Sequence, residues 1–173
     1  MHILSTQRLS LRTIQPEDAA FYLDITNQPS WLANIGDRGL RTLEQARADI
    51  VAKPMQMQVE KGFSLYAVCL RESDVVIGMC GLIKRDSLPE VDIGYALLPQ
   101  YWGQGYAWEA ASAVRDYGRD VIGLKCLMGI CAPHNQASIH LLQKLGMQMI
   151  DETTDHGGER SLTFSMLLEQ AIC

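Results

Sequence analysis

Three groups of residues in this chain have the types and spacing to do chemistry. Gly103 and Gly105 punctuate Gln100-Tyr101-Trp102-Gly103-Gln104-Gly105-Tyr106-Ala107, a short loop between an apolar strand ending at Leu97-Leu98 and an alanine-rich helix. Such a junction aims unpaired backbone N–H groups at one point, at the positive end of the helix dipole, and suits a phosphate or pyrophosphate. Glu90 and Asp92 share one face of the strand before the loop, where a carboxylate can take a proton directly or through water. Solvated carboxylates at a strand's start are the plain alternative. Asn135 and Ser138 stand at the head of a later helix, after Pro133, where asparagine is a favoured N-cap.

Two common phosphate motifs do not fit the loop. Trp108 stands where a dinucleotide fingerprint needs its third glycine, and the Gly-Lys-Ser/Thr of a Walker loop is absent. A tight turn before a helix is the simpler alternative for an isolated G-x-G. The five cysteines (Cys69, Cys80, Cys126, Cys131, Cys173) are odd in number and contain no CxxC. Four fall in strand-like apolar segments, where free cysteine acts as a small buried hydrophobe. Cys131 and His134 lack a second ligand pair at metal spacing, so no metal is expected.

Seven strands and four helices are expected to position these groups. Leu9–Ile14 alternates as a strand. Pro16, with Glu17 and Asp18, opens a helix through Phe21 and Ile25. The turn-rich stretch Ser30 to Gly39, with Trp31, reads as a loop. Thr42 and Gln45 have capping-box spacing, so a second helix starts there, to be kinked or divided at Pro54. Phe63–Leu70 and Val75–Ile83 form a hairpin, and Glu90–Leu98 follows with Val91, Ile93, Tyr95 and Leu97 on one face.

Beyond the loop, Ala107, Ala110, Ala111 and Val114 recur at helical spacing until Gly118. Leu124–Cys131 is a strand and Asn135–Leu145 a helix stopped by Gly146. Met147–Asp151 and Arg160–Leu168 are strands around a Thr153–Glu159 turn. Short turns demand antiparallel pairing, and the crossovers between 90 and 131 permit parallel pairing. The result is one α/β domain over residues 1–173, with a mixed sheet of about seven strands flanked by about four helices.

Composition bounds the function. A chain of 173 residues with 47% hydrophobic and 20% charged content builds a full core. No apolar run spans a bilayer and no signal peptide is readable, so a cytoplasmic protein without a membrane partner is expected. The net charge of −5 argues against a nucleic-acid partner and would suit a cationic substrate.

Gln100-x-x-Gly103-x-Gly105, after a strand and before a helix, resembles the acyl-coenzyme A loop of the GNAT N-acetyltransferase superfamily. Asn135-Gln136-Ala137-Ser138 through Lys144-Leu145-Gly146 resembles that family's N-x-x-S…K-L-G-F helix, with Met147 for the closing phenylalanine. Thr6-Gln7-Arg8-Leu9-Ser10-Leu11-Arg12 and Ile93-Gly94-Tyr95 are similar to the RimJ/RimL-like branch, which acetylates N-terminal amines of ribosomal proteins.

The resemblance covers essentially the whole chain. It implies a GNAT fold, acetyl-CoA as co-substrate, and direct transfer of the acetyl group to a primary amine, either a protein N-terminus or a small molecule. The enzyme would act as a monomer or homodimer. Backbone N–H groups from Gln100 to Ala107 would cradle the pyrophosphate, and the freed backbone of Leu97 and Leu98 would pair with pantetheine. Trp102 and Tyr106 would contact coenzyme or shield the loop. Asn135 would reach the pantetheine arm, Ser138 would contact coenzyme or protonate the thiolate, and Asp92 would be the base. Many GNAT enzymes place a tyrosine where Leu142 stands, and its absence keeps a non-catalytic acyl-CoA-binding module as the alternative. Acceptor selectivity is expected from Trp31 to Arg38.

Overall fold

The computed structural model describes residues 1–154 and 159–168. Eight strands form one mixed sheet in the order β1-β2-β3-β4-β5-β6-β8-β7, where about seven were expected. The addition is β1 (His2–Ser5), which pairs antiparallel with β2 (Leu9–Thr13). Its four residues are too few and too polar at their ends to show a period. The remaining strands are β3 (Leu65–Leu70), β4 (Val76–Ile83), β5 (Asp92–Leu97), β6 (Cys126–Cys131), β7 (Gln148–Thr154) and β8 (Arg160–Leu167). Part of the expected Thr153–Glu159 turn, and Cys173, lie outside the described residues. Cys69, Cys80, Cys126 and Cys131 are free thiols on β3, β4 and β6.

The helices are α1 (Ala19–Thr26), α2 (Pro29–Asn34), α3 (Leu43–Ile50), α4 (Gln56–Lys61), α5 (Tyr106–Tyr117) and α6 (Gln136–Lys144). The helix α2 replaces the expected loop from Ser30, because Pro29 starts its first turn without needing an N–H donor. At α3 the capping box is present in both directions: Gln45 N–H donates to Thr42 Oγ1, and Thr42 N–H donates to Gln45 Oε1. Pro54 neither breaks nor splits the rod. A π-helical turn over Val51–Met55 carries α3 into α4, with Gln56 N–H reaching Val51 O. The wider turn accommodates a ring that would clash with the carbonyl four residues back. A second π turn, Gly118–Ile122, extends α5 past the expected stop to Gly123 at φ 79°.

Strand alternation divides the core between the two sheet faces. Tyr66, Val68, Ile93 and Leu97 pack with Ala110, Ala111 and Val114 of α5 and Leu142 of α6. Ala67, Cys69, Met79 and Leu98 pack on the other face with Tyr22, Ile25, Trp31 and Ile50. The expected odd face of β5 therefore meets α5 and α6. At its partner strand β5 makes the expected parallel pairing, but only once. It is held along its length by β4, and β6 is held likewise by β8. Between β5 and β6 the sole register pair is Asp92 with Met128, and the two strands then diverge.

Candidate active site

The gap between β5 and β6 opens into a cavity of about 630 Å³ that crosses the sheet. Ile25, Trp31 and Arg38 wall one end. Asp92, Tyr95, Leu97, Asn135 and Ser138 wall the middle, and Trp102, Gly103, Gly105, Tyr106 and Ala107 wall the other end. Of the residues singled out from sequence as candidates for chemistry, Glu90, Leu98, Gln100, Gln104 and His134 stand outside this lining. The remaining ones, drawn from β5, the loop, α5 and α6, come together in one space.

The loop takes its shape from two glycines in the left-handed region, Gly103 at φ 70° and Gly105 at φ 81°. Gly105 starts α5, whose first intrahelical bond runs from Glu109 N–H to Gly105 O. The N–H groups of Tyr106, Ala107 and Trp108 thus have no acceptor in their own helix. A Cβ on Gly103 would meet nothing within 4 Å, which leaves the approach to these donors open. Pyrophosphate fits this cradle in charge and in hydrogen-bonding sense.

One end of the loop is tied to the β1–β2 hairpin, a link not read from sequence. Glu109 Oε1 accepts Thr6 Oγ1–H at 2.5 Å and Arg8 N–H at 2.9 Å, while Oε2 accepts Arg8 Nε–H at 2.7 Å. Arg8 Nη1 donates to Gln104 O at 3.0 Å, and its guanidinium lies 4.3 Å from the centre of the Tyr106 ring. Burial works against the Glu109 charge, but the Thr6 and Arg8 donors prevail and hold its carboxyl below the usual range. We expect Glu109→Ala to destabilise the fold by about 2 kcal/mol, the scale of hydrogen bonds to a charged group. It should also weaken coenzyme A binding several-fold, as read by thermal melting and calorimetry. Full affinity in the melted-down variant would detach the hairpin from the loop's function.

Strand β5 offers backbone to the gap. Leu98 N–H donates to Ile77 O at 2.9 Å, which sets the phase of the β4–β5 ladder. Backbone groups of Tyr95 and Leu97 therefore point away from β4. Leu97 O accepts the Trp102 indole N–H at 2.8 Å, so Leu97 N–H is the donor left to the gap. The expected role for Leu98 backbone is corrected: its N–H is spent on Ile77 and its O accepts Tyr101 N–H at 3.0 Å. Trp102 is half exposed and locks the loop to β5.

On α6, Asn135 Oδ1 accepts Ser138 N–H at 3.1 Å, the capping bond expected of it. Ser138 Oγ pairs with the Tyr95 hydroxyl at 2.8 Å. Burial pushes the Tyr95 phenol up, and the Ser138 bond offsets only part of this, so both hydroxyls are protonated at neutral pH. Leu142, at the position where the resemblance would place a tyrosine, is buried against Gly129 of β6 and does not line the cavity. Glu90 and Asp92 separate: Glu90 is exposed, whereas Asp92 is 1% exposed. Arg85 Nε donates to both Asp92 oxygens, at 3.0 and 3.2 Å. Burial raises the Asp92 carboxyl above its ordinary value, and Arg85 offsets only part of that rise. His134 is exposed and takes no place in the cavity lining.

Residues 8–148 match the family described as the acetyltransferase (GNAT) domain. The chain belongs to the GNAT acetyltransferase family. It is 31% identical over 149 residues to the uncharacterized N-acetyltransferase p20 of Bacillus licheniformis, covering 86% of this chain and 83% of that one. Among solved structures, a GNAT-family acetyltransferase from Bacillus anthracis superposes with a TM-score of 0.80 at 24% identity, covering 98% and 100% of the two chains. RimL, a ribosomal-protein alpha-N-acetyltransferase solved with coenzyme A, gives 0.81 at 15% identity and 97% and 98% coverage. This GNAT enzyme is thus an N-acetyltransferase by family. Among its described residues no helix is long and apolar enough to cross a membrane.

Proposed function

We propose that the protein transfers an acetyl group from acetyl-CoA to a primary amine, on a peptide N-terminus or a small molecule, by direct attack in the gap between β5 and β6. The observation that carries this reading is the single cavity joining the loop's N–H cradle to Asp92 and to the Ser138–Tyr95 pair. The first-turn N–H groups of α5 hold the pyrophosphate. Leu97 N–H polarises the thioester carbonyl. As the amine nitrogen bonds to the acetyl carbon, Asp92 takes the amine proton directly or through water. The carbon–sulfur bond breaks, and Ser138, backed by Tyr95, gives the thiolate a proton.

The base matters in proportion to the acceptor's own pKa. At pH 7 a lysine-like amine near ~10.4 costs roughly 4–5 kcal/mol to deprotonate, and an α-amine near ~8 only about 1. The test is thiol release from acetyl-CoA against a panel of peptides and small amines, with coenzyme A binding followed by calorimetry. Amine-dependent release is expected. Tight coenzyme binding without turnover across the panel would replace the reading with the binding-module alternative, and absence of binding would remove both.

A further inference from the structure

We propose that the acceptor end of the cavity is built for a primary amine that also carries a carboxylate, gripped by Arg38 and the indole N–H of Trp31. This rests on the acetyl-transfer reading of the same site and names its substrate class. Among the described residues, the arginine, lysine and carboxylate side chains lining the cavity are Arg38, Arg85, Lys144 and Asp92. The lone carboxylate is buried and already held by Arg85. Lys144 sits over the Trp108 ring, 4.8 Å from its centre, between α5 and α6. Arg38 is the cation at the opposite end.

Its surroundings hold the guanidinium in place without using it up. Nη1 meets Asp49 Oδ2 at 2.9 Å and also reaches the Tyr22 hydroxyl. Among the described residues, Nε and Nη2 have no partner. Asp49 is shared with Lys53, at 2.6 Å, so the cluster of Arg38, Lys53 and Asp49 keeps a net positive charge. The Arg38 guanidinium lies 5.4 Å from the centre of the Trp31 ring. Trp31 walls the cavity, and its Nε1 is a buried donor without a partner among the described residues.

Buried polar groups are ordinarily paired, so an unpaired indole N–H, on a ring whose centre is 5.4 Å from a guanidinium with unused donors, is part of a donor set in want of an acceptor. A carboxylate offers acceptors only and matches the planar fork of arginine. A polyamine would bring a second cation to Arg38 and find Asp92, the one carboxylate lining the cavity among the described residues, already paired. An α-carboxylate of a free amino acid and a side-chain carboxylate of a peptide's first residue present the same chemistry.

The experiment measures both binding to the coenzyme A-saturated protein and thiol release from acetyl-CoA. Four acceptors separate the cases: glutamate, the amide of Glu-Ala-Ala, the amide of Ala-Ala-Ala, and spermidine. At least one carboxylate-bearing acceptor should exceed the uncharged peptide and spermidine by about tenfold or more. Preference for glutamate alone assigns the free amino acid, and preference for the acidic peptide alone assigns the peptide. Arg38→Gln should erase the preference, and Trp31→Phe, which keeps the packing but removes the N–H, should reduce it. Equal handling of all four acceptors, or a preference that survives Arg38→Gln, would overturn the proposal. Carboxylate-selective binding without turnover would uphold the anion site and overturn acetyl transfer instead.

Discussion

Gly105→Val should lose roughly five- to thirtyfold of its affinity for coenzyme A while keeping its secondary structure. The reason is conformational rather than a lack of space. A Cβ at this position would meet only Arg8 Nη2, at an ordinary 3.4 Å, but the backbone stands at φ 81°. For a residue with a Cβ the left-handed region costs roughly 1–2 kcal/mol, and a β-branched one fits it worst. Relief comes only by rotating Gly105 out of that region, which turns the first N–H groups of α5 away from their common point. If the strain appears wholly as lost binding, 1–2 kcal/mol is roughly a five- to thirtyfold effect. The body of α5 should persist, since Ala110, Ala111 and Val114 are fully buried beneath it. Gly105→Ala should fall between the two. Calorimetry with coenzyme A, set beside thermal melts, reads both quantities. A valine variant that binds as tightly as the parent would refute the cradle.

Asp92→Asn is expected to lower the rate about a hundredfold near neutral pH, within the usual range for general-base catalysis. The deficit should shrink as pH rises, because free amine then forms without help. The parent's rate should fall on the acid side at a pH above the ordinary carboxylate value, since burial raises Asp92 more than Arg85 lowers it. Linkage gives the matching sign for stability. Between the ordinary and the raised value the folded protein binds more protons at this residue than the unfolded chain does. That contribution to stability is therefore lost as pH rises through the window. The asparagine keeps the shape and can still accept from Arg85, so folding should survive. A rate ratio that stays constant from acid to alkaline pH would exclude Asp92 as the base.

The parts of this site legible from sequence are the local ones. Gly103 and Gly105, the Asn135 cap and the Thr42–Gln45 box act within a turn or two of themselves, so their spacing alone conveys their geometry. Arg8 and Glu109 are 101 residues apart, and Tyr95 and Ser138 are 43 apart. No periodicity reports such pairs, because the β-sheet order creates them. Leu142 illustrates the same limit. Set against the resemblance, its identity marks a tyrosine as missing, but only the fold reveals a second hydroxyl, from Tyr95, arriving from a neighbouring strand. Net charge carries no position. The chain's −5 would suit a cationic substrate, whereas the lining of the cavity among the described residues has Arg38, Arg85 and Lys144 against one carboxylate, Asp92.

The cavity is lined from both faces of the sheet, by Trp31 and Met79 on one and by Ser138 and Leu141 on the other, and this bears on the order of events during turnover. On the acetyl-transfer reading, donor and acceptor would approach from opposite faces and reside together, so neither would have to depart before the other arrives. Initial-rate plots should then converge rather than run parallel, and an inert analogue of one substrate should leave access for the other. The single pairing of Asp92 with Met128, where β5 and β6 part, would then make the sheet itself the place where the two substrates meet.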